Sequence, residues 1–347
     1  MTPIGELVLG ALRARPDRVA FEHAGTALSY RDAETTVLGL VALLAKLPPE
    51  DTVVQVRPND PLQWLVNAAC YVAGRRSAGI APGTPDLAER LARIGPATVL
   101  SDVDVPAPGG PVEVAPAEAV VRLGFTRGTM GPVKGVELTS GALGAVATML
   151  RDTLPWPDRP RVLCPEPVAG GFGNLVAPTL SLGGTLVIPD ESDVDALLDA
   201  VEAHRPTVLL LMPPTFRAVL DHPRAVDWSC LELLIYSGTS LTADEIDRAH
   251  TRFGPVLCQV FGQVEVPKTI AYSTPDDHLG PHRSSLGRPF PGTEIRIDET
   301  GELCVRGPNI ARSYAFPAGS PVRDGWLRTG DLCRVENGYL YHEGRLR

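Results

Sequence analysis

The stretch "LGFTRGTMGPVKGVELT", residues 123–139, decides how the middle of this sequence is interpreted. It has two glycines three residues apart, hydroxyl side chains around them, and Lys134 three residues after the second glycine. Such a loop offers backbone N–H groups and a cation to phosphate oxygens. We predict strands at 119–125 and 135–139, so the loop joins two strands. The pattern GxxxxGK[ST], in which a phosphate loop enters a helix directly, fails because residue 133 is valine.

Strand and helix patterns alternate along most of the remaining chain. Apolar residues at helical spacing predict an amphipathic helix over 4–16, and 52–57 reads as a short buried strand. Such alternation predicts an α/β fold with largely parallel sheets flanked by helices. After about residue 268 the pattern changes to short strands with turns. We therefore expect residues 268–340 to form a smaller β-rich subdomain.

Composition excludes several classes of protein. The 347 residues are 44% hydrophobic and 21% charged, which is enough to bury a large core. The net charge of −9 argues against a nucleic-acid or anionic membrane surface. No apolar run is long enough to span a bilayer, and we expect no secretion signal. Six cysteines, far apart and without a CxxC pair, favour buried free thiols in a reducing cytoplasm.

Six stretches agree, in order, with the motifs of one family. They are "TRGTMGPVKG" (126–135), "YSGTSL" (236–241), "FGQVE" (261–265), "GELCVRG" (301–307), "DGWLRTGDL" (324–332) and "GYLYHEGRLR" (338–347). With them the chain resembles the large N-terminal domain of the adenylate-forming superfamily of acyl- and aryl-CoA ligases, luciferases and peptide-synthetase adenylation domains. The C-terminal motifs are highly specific, whereas the glycine loop alone would be weak evidence. The resemblance implies an adenylate-binding domain over residues 1–344, with stacked sheets and the β-rich part as a distorted barrel.

The resemblance also implies a reaction in two steps. A carboxylate attacks the α-phosphate of ATP, which gives an acyl-adenylate and pyrophosphate. A thiol of CoA or of a carrier protein then takes the acyl group and releases AMP. The expected substrate is thus a carboxylic acid or its acyl-adenylate, with ATP or AMP, Mg²⁺ and CoA as further ligands.

Roles follow for residues at matching motif positions. Glu265 is expected to bind Mg²⁺, which prefers hard oxygen ligands, and Lys134 to hold the β- and γ-phosphates. Asp331 is expected to accept both ribose hydroxyls, and Phe261 to stack on adenine. Arg345 either contacts ribose or phosphate or is an ordinary surface arginine. The other expected nucleotide contacts are Thr126, Gly128, Thr129, Gly131, Gly238, Thr239, Ser240, Gly262 and Gln263.

The segment "PEPVAGGFG", residues 165–173, is expected to line the acid pocket. We predict substrate contacts from Val168, Gly170, Gly171 and Phe172. Val168 takes the place of a histidine that commonly gates the pocket in the family. Glycines without side chains would leave room for a bulky, natural-product-like acid, although they could equally only permit a tight turn.

Three residues depart from the family pattern around the triphosphate. Arg127 and Met130 replace hydroxyl residues that face the pyrophosphate, and Val264 replaces a threonine that contacts the α-phosphate. Hydrogen bonds to charged groups contribute about 1.5–3 kcal/mol each, so losing the Met130 and Val264 contacts costs about 3–6 kcal/mol, or two to four decades in rate or binding. We therefore expect weak ATP-dependent adenylation and a bias towards thioester formation.

Two alternatives stay open. The charge of Arg127 could offset the lost hydroxyls, which would leave a full ATP-dependent ligase. Residues 345–347 match the beginning of a hinge that, in the family, leads to a small C-terminal domain carrying the adenylation lysine. We expect that domain to be absent from this sequence and to come from a continuation or another chain. A non-catalytic adenylate-binding module is the second alternative.

Overall fold

The computed structural model of the protein describes residues 1–84, 86–126, 133–190, 193–238 and 240–346. The α-helices in this part of the chain are α1 (Ile4–Ala14), α2 (Tyr30–Leu44), α3 (Pro61–Ala73), α4 (Leu87–Ile94), α5 (Ser140–Thr153), α6 (Val176–Ser181), α7 (Val194–His204), α8 (Pro213–Asp221), α9 (Ala243–Phe253) and α10 (Pro275–Leu279). A 3-10 helix spans Gly171–Leu175.

The strands in the described ranges form three sheets. They are β1 (Val19–His23), β2 (Thr26–Ser29), β3 (Thr52–Val56), β4 (Ser77–Ile80), β5 (Ala97–Leu100), β6 (Val120–Phe125), β7 (Gly135–Thr139), β8 (Arg161–Leu163), β9 (Thr185–Ile188), β10 (Val208–Leu211), β11 (Leu233–Ser237), β12 (Leu257–Phe261), β13 (Ala271–Ser273), β14 (Arg288–Pro289), β15 (Glu294–Ile297), β16 (Glu302–Arg306), β17 (Ser313–Phe316), β18 (Val322–Arg323), β19 (Trp326–Glu336) and β20 (Tyr339–Arg345).

The largest sheet has nine strands in the order β14-β13-β12-β11-β10-β8-β9-β1-β2. Its six central strands, from β12 to β1, are parallel to one another. Antiparallel strands lie at its edges, with β2 at one end and β13 and β14 at the other. Continuous apolar sequences such as "VLLL" in β10 are fully buried, as expected for strands covered on both faces.

The second sheet, in the order β17-β7-β6-β4-β3-β5, carries the glycine loop. Strands β5, β3, β4 and β6 are parallel, whereas β6 and β7 pair in antiparallel fashion on either side of the loop. The predicted strand–loop–strand arrangement is therefore confirmed. The hydroxyl of Thr139 accepts a hydrogen bond from the backbone N–H of Ala142 at 3.1 Å, which caps α5 directly after β7.

The third sheet is antiparallel and contains β15, β16, β18, β19 and β20. Residues 268–340 are rich in strands, as predicted, but they contribute to all three sheets. Strands β13 and β14 extend the nine-stranded sheet, and β17 pairs with β7. The predicted fold class, α/β with largely parallel sheets and a smaller β-rich part, is confirmed. The predicted division into 1–344, 268–340 and 345–347 stays a prediction, and Arg347 lies outside the described residues.

One apolar cluster connects the two larger sheets. It contains side chains from β1, β8 to β12, β3, β6 and β7, together with α1, α2, α3, α5 and α6. The cysteines are free, and of the six only Cys230 is partly exposed, which agrees with the prediction of buried thiols. In the described ranges no helix combines the length and the apolar character needed to cross a membrane.

Replacing either of two helical glycines by alanine is expected to change the free energy of unfolding, in opposite directions. A Cβ on Gly10 in α1 would meet no atom within 4 Å, so Gly10→Ala is expected to raise the free energy of unfolding by about 0.5–1 kcal/mol. A Cβ on Gly39 in α2 would overlap the carbonyl oxygen of Pro106. Gly39→Ala is expected to lower the free energy of unfolding by about 1–3 kcal/mol. Urea unfolding measures both changes, and equal effects of the two variants would contradict this packing.

Candidate functional site

The expected nucleotide contacts meet at the carboxyl ends of β11 and β12. These strands are parallel neighbours, with Ser237 opposite Val260, so the residues that follow them emerge at one edge of the sheet. In open α/β sheets, ligands bind in the crevice outside this edge. Gly238 follows β11 with a positive φ of 108°, and Ser240 is half-buried beside it. Thr239 lies outside the described residues.

The segment after β12 folds back on itself at Gly262. A Cβ there would overlap the backbone nitrogen of Lys268 and the carbonyl oxygen of Val266. The backbones of Gln263 and Val266 donate to each other's carbonyl oxygens at 3.1 and 3.2 Å, which closes the turn. The sequence suggested that Gly262 makes room for a nucleotide, a role that stays a prediction. In the structure the close approach at Gly262 comes from the protein's own backbone.

Asp331 is the centre of a buried polar network. Its side chain is 7% exposed, and the amide of Gln263 donates to its Oδ2 at 2.6 Å. The guanidinium of Arg345, its neighbour across the β19–β20 pair, lies 2.9 Å from Oδ1. Gln263 also donates to the carbonyl oxygen of Thr329 at 2.9 Å. Three of the predicted site residues are thus in contact, and the turn after β12 is attached to the β-rich sheet.

Glu265 and Lys134 are connected through Tyr314, which the sequence analysis missed. The hydroxyl of Tyr314 donates to Oε1 of Glu265 at 2.9 Å, and Nζ of Lys134 lies 5.0 Å from the centre of the same ring. Burial and the charge of Glu265 raise the pKa of the Tyr314 hydroxyl. No local pattern marks Tyr314, because it reaches the site through the pairing of β17 with β7.

The glycine loop is described only at its two ends. The backbone N–H of Thr126 donates to the carbonyl oxygen of Lys134 at 3.1 Å, and the N–H of Lys134 donates to Oγ1 of Thr126 at 3.3 Å. These bonds close the neck of the loop and fix where it begins and ends. The predicted contacts Gly128, Thr129 and Gly131, and the departures Arg127 and Met130, lie outside the described residues.

Val264 stands where the family pattern has a threonine, and its side chain makes an apolar contact with β6. Its Cγ1 lies 2.6 Å from the position that a Cβ of Gly124 would take, and it packs against the main core cluster. Gly124 belongs to β6, just before the loop. Val264 therefore packs the turn after β12 onto the strand that leads into the loop.

Most of the predicted acid-pocket side chains lie in the core. Val168 is fully buried and Phe172 is 3% exposed, and both belong to the main apolar cluster. A Cβ on Gly173 would overlap the carbonyl oxygen of Val168, so this glycine is needed for a tight turn. Gly170 and Gly171 are exposed at the beginning of the 3-10 helix. Substrate contacts from these four residues stay a prediction.

Phe261 is also largely buried, with 7% of its surface exposed. Its ring belongs to the apolar cluster of the β-rich sheet, with Val266, Ile270 and Leu303 among its members. Packing of this kind fixes the carboxyl end of β12 against the third sheet. Stacking of Phe261 on adenine stays a prediction.

Lys268 is a second residue that the sequence analysis did not single out. It is 7% exposed and has a positive φ of 59°. Its Cε and Nζ lie 3.8 Å from the position of a Cβ on Gly171, so it joins the turn after β12 to the predicted acid pocket. Burial lowers the pKa of Lys268 to about 8, and the negative charge of Glu166 opposes this fall only in part.

In the folded protein the pKa of Lys268 lies below the ordinary value of 10.5. The charged side chain therefore lowers the free energy of unfolding most below pH 8, where it is protonated in both states. This penalty fades as pH rises from 8 to 10.5, since the folded chain loses the proton first. Lys268→Met is therefore expected to raise the free energy of unfolding at pH 7 by about 3 kcal/mol, and by much less at pH 10. Urea unfolding at both pH values tests this, with Lys46→Met at an exposed position as the control. An equal gain at both pH values, or the same gain from Lys46→Met, would contradict the assignment.

The chain is similar to enzymes that are named as CoA ligases and CoA synthases. The medium/long-chain-fatty-acid–CoA ligase FadD8 of Mycobacterium tuberculosis is 31% identical over 242 residues, which cover 65% of this chain and 42% of that ligase. A feruloyl-CoA synthase of an Amycolatopsis species is 29% identical over 392 residues, covering 99% of this chain and 79% of the synthase. This chain therefore spans about two fifths of the first relative and about four fifths of the second.

Solved structures and a family model agree with these similarities. The structure of the amide bond synthetase McbA from Marinactinospora thermotolerans matches with a TM-score of 0.84 and 25% identity, over 100% of this chain and 80% of McbA. The family described as "AMP-binding enzyme" matches residues 94–315, which is well over half of the chain and includes the glycine loop and the turn after β12. The chain belongs to the AMP-binding enzyme family.

Proposed function

We propose that this chain is an acyl-CoA ligase-type enzyme that acts on a carboxylic acid through its acyl-adenylate. The observation that carries the proposal is the meeting of two networks on the short turn after β12. Gln263 holds Asp331 at one end of this turn, and Glu265 is joined to Lys134 through Tyr314 at the other. The names of the relatives, a fatty-acid–CoA ligase and a feruloyl-CoA synthase, support the same chemistry.

Asp331 would accept hydrogen bonds from the ribose hydroxyls. An ionised carboxylate has about four acceptor sites. Gln263 and Arg345 use one on each oxygen of Asp331, and Nε2 of His342 lies 3.6 Å from Oδ1. The remaining sites suit a diol, which offers two O–H donors. Gly238 and Ser240, at the end of the neighbouring strand, would place backbone groups along the adenine edge.

Glu265 fits a magnesium ion. Its carboxylate is buried, and Tyr314 donates to Oε1, so Oε2 remains for a cation. No group of three or more His, Cys, Asp or Glu side chains suited to a metal occurs in the described part of the chain. Magnesium commonly binds one or two carboxylates, with phosphate oxygens and water completing its shell. Bound there, the ion would neutralise charge on the phosphates, while Lys134 holds the same phosphates from the loop.

We further propose that the thioester-forming step is the stronger half of the activity. In that step the thiol sulfur of CoA, or of a carrier protein, attacks the acyl carbon, the bond to the AMP oxygen breaks, and AMP leaves. The support is Val264, whose side chain packs on Gly124 and brings no hydroxyl to the α-phosphate. The reaction would take place in the cytoplasm, where CoA and ATP are supplied.

Two mixtures test the proposal. Given CoA and a pre-formed acyl-adenylate, the protein is expected to form thioester and release AMP. Given CoA, ATP and the free acid, it is expected to release pyrophosphate far more slowly than the roughly 10 s⁻¹ of a median enzyme. Chromatography of the thioester and a coupled pyrophosphate assay follow the two products.

Each alternative function has its own outcome in this experiment. Pyrophosphate release from acid and ATP at ordinary enzyme rates would show a full adenylating ligase. Tight binding of the acyl-adenylate without thioester from either mixture would show a binding module. The assay should include any natural C-terminal continuation of the chain.

Restoring the hydroxyls tests whether the three departures limit adenylation. The combined variant Arg127→Ser, Met130→Thr and Val264→Thr is expected to raise pyrophosphate release by at least tenfold, because each hydrogen bond to a charged group contributes about 1.5–3 kcal/mol. Val335→Thr, at a 48% exposed position, makes the same chemical change away from the site and serves as the control. No gain in the combined variant would refute the role given to these residues.

A further inference from the structure

Lys268 carries a buried cation that is unusual in this chain. The chain has three lysines among its 32 basic residues: Lys46 is exposed, Lys134 belongs to the glycine loop, and Lys268 is 93% buried. Among the described residues, no side chain or carbonyl lies within hydrogen-bond or ion-pair distance of the Lys268 ammonium. An ammonium withdrawn from water in this way is destabilising unless something else supplies an acceptor.

The ammonium lies beside an exposed part of the backbone. Nζ of Lys268 lies 3.8 Å from the Cβ position of Gly171, which is exposed at the beginning of the 3-10 helix. A molecule resting on Gly171 would therefore touch Nζ.

The charge of Glu166 raises the pKa of Lys268, but Glu166 is not a hydrogen-bond or ion-pair partner of the ammonium. Oε1 of Glu166 already accepts a hydrogen bond from Thr215 at 3.1 Å. The cation thus lies beside Gly171 and has no hydrogen-bond or ion-pair partner in the described part of the chain.

We propose that Lys268 is a specificity residue that binds an oxygen of the acyl group, so that the acid carries a hydroxyl or a second carboxylate besides the carboxylate that reacts. This inference rests on the proposed acyl-adenylate site. It deepens that function by naming a polar acid as the substrate class. Gly171 contributes by its missing side chain, because a Cβ at this position would stand 3.8 Å from Nζ, in van der Waals contact with it.

Non-hydrolysable acyl-sulfamoyl-adenosines test the proposal without requiring catalysis. Three analogues in each of a linear and a phenyl-bearing series would differ only in their terminal group, which is methyl, hydroxyl or carboxylate. Calorimetric titration would compare the wild-type chain with Lys268→Met, which keeps the length and apolar stem but removes the ammonium. Lys46→Met, which removes an exposed ammonium, is the matched control.

The expected result is a loss of affinity for the analogues whose terminal group contains oxygen. Lys268→Met should lower the affinity for the hydroxyl analogue, the carboxylate analogue or both by about tenfold to a hundredfold. This is the usual effect of a lost hydrogen bond to a charged group. The methyl analogue should bind both proteins alike or bind the variant more tightly. Whichever oxygen analogue loses affinity identifies the group that Lys268 binds, and Lys46→Met should change none of them.

Two results would overturn the inference. In either series, an equal loss of affinity for the methyl, hydroxyl and carboxylate analogues would contradict the inference. It would show that Lys268 acts on a part common to them, such as the reacting carboxyl carbon, or on the fold. Unchanged affinity for both oxygen analogues would show that the ammonium does not touch the acyl group. Failure of every analogue to bind the wild-type chain would instead refute the adenylate site, and with it the inference; unfolding by urea would confirm that both variants are folded.

Discussion

The site depends on the close packing of a backbone turn. Directly after β12 the chain folds back so tightly that position 262 has no room for a Cβ between Val266 and Lys268. Three side chains of this seven-residue turn then contact different parts of the protein. Gln263 donates a hydrogen bond to Asp331, and Glu265 accepts one from Tyr314. Lys268 lies beside Gly171. The parallel sheet supplies the edge, but this turn connects that edge to the other two sheets.

The sequence predicted the parts of the protein that depend on local patterns. Strand β6, the glycine loop and β7 follow from residue types that are adjacent in the chain. Asp331 and Gln263 were singled out through motif resemblance, and the structure places them in hydrogen-bond contact, while their roles stay predictions. Tyr314 was missed because its position comes from strand pairing across 176 residues, between Ser313 and Glu137.

The predicted acid pocket shows a different limit of sequence reasoning. The alignment of a short motif assigns positions to a pocket, but it does not say which way each side chain points. Val168 and Phe172 point into the main core, whereas Lys268, from a segment almost a hundred residues later, reaches the exposed backbone of Gly171. A valine or phenylalanine in a glycine-rich segment is equally suited to a pocket wall or a core, so burial could not be assigned from the pattern.

Lysine at position 268 is unusual in a chain whose basic residues are mostly arginine. A buried arginine would remain charged at every accessible pH, whereas a lysine can lose its proton when nothing accepts its hydrogen bonds. The lowered pKa, about 8, leaves most of the Lys268 side chains charged at neutral pH, at a penalty to folding. An oxygen ligand would remove that penalty by restoring the ordinary preference for the charged form, so binding and stability are coupled at this residue. In the proposed site, the oxygen of the ligand would be the hydrogen-bond partner of this ammonium.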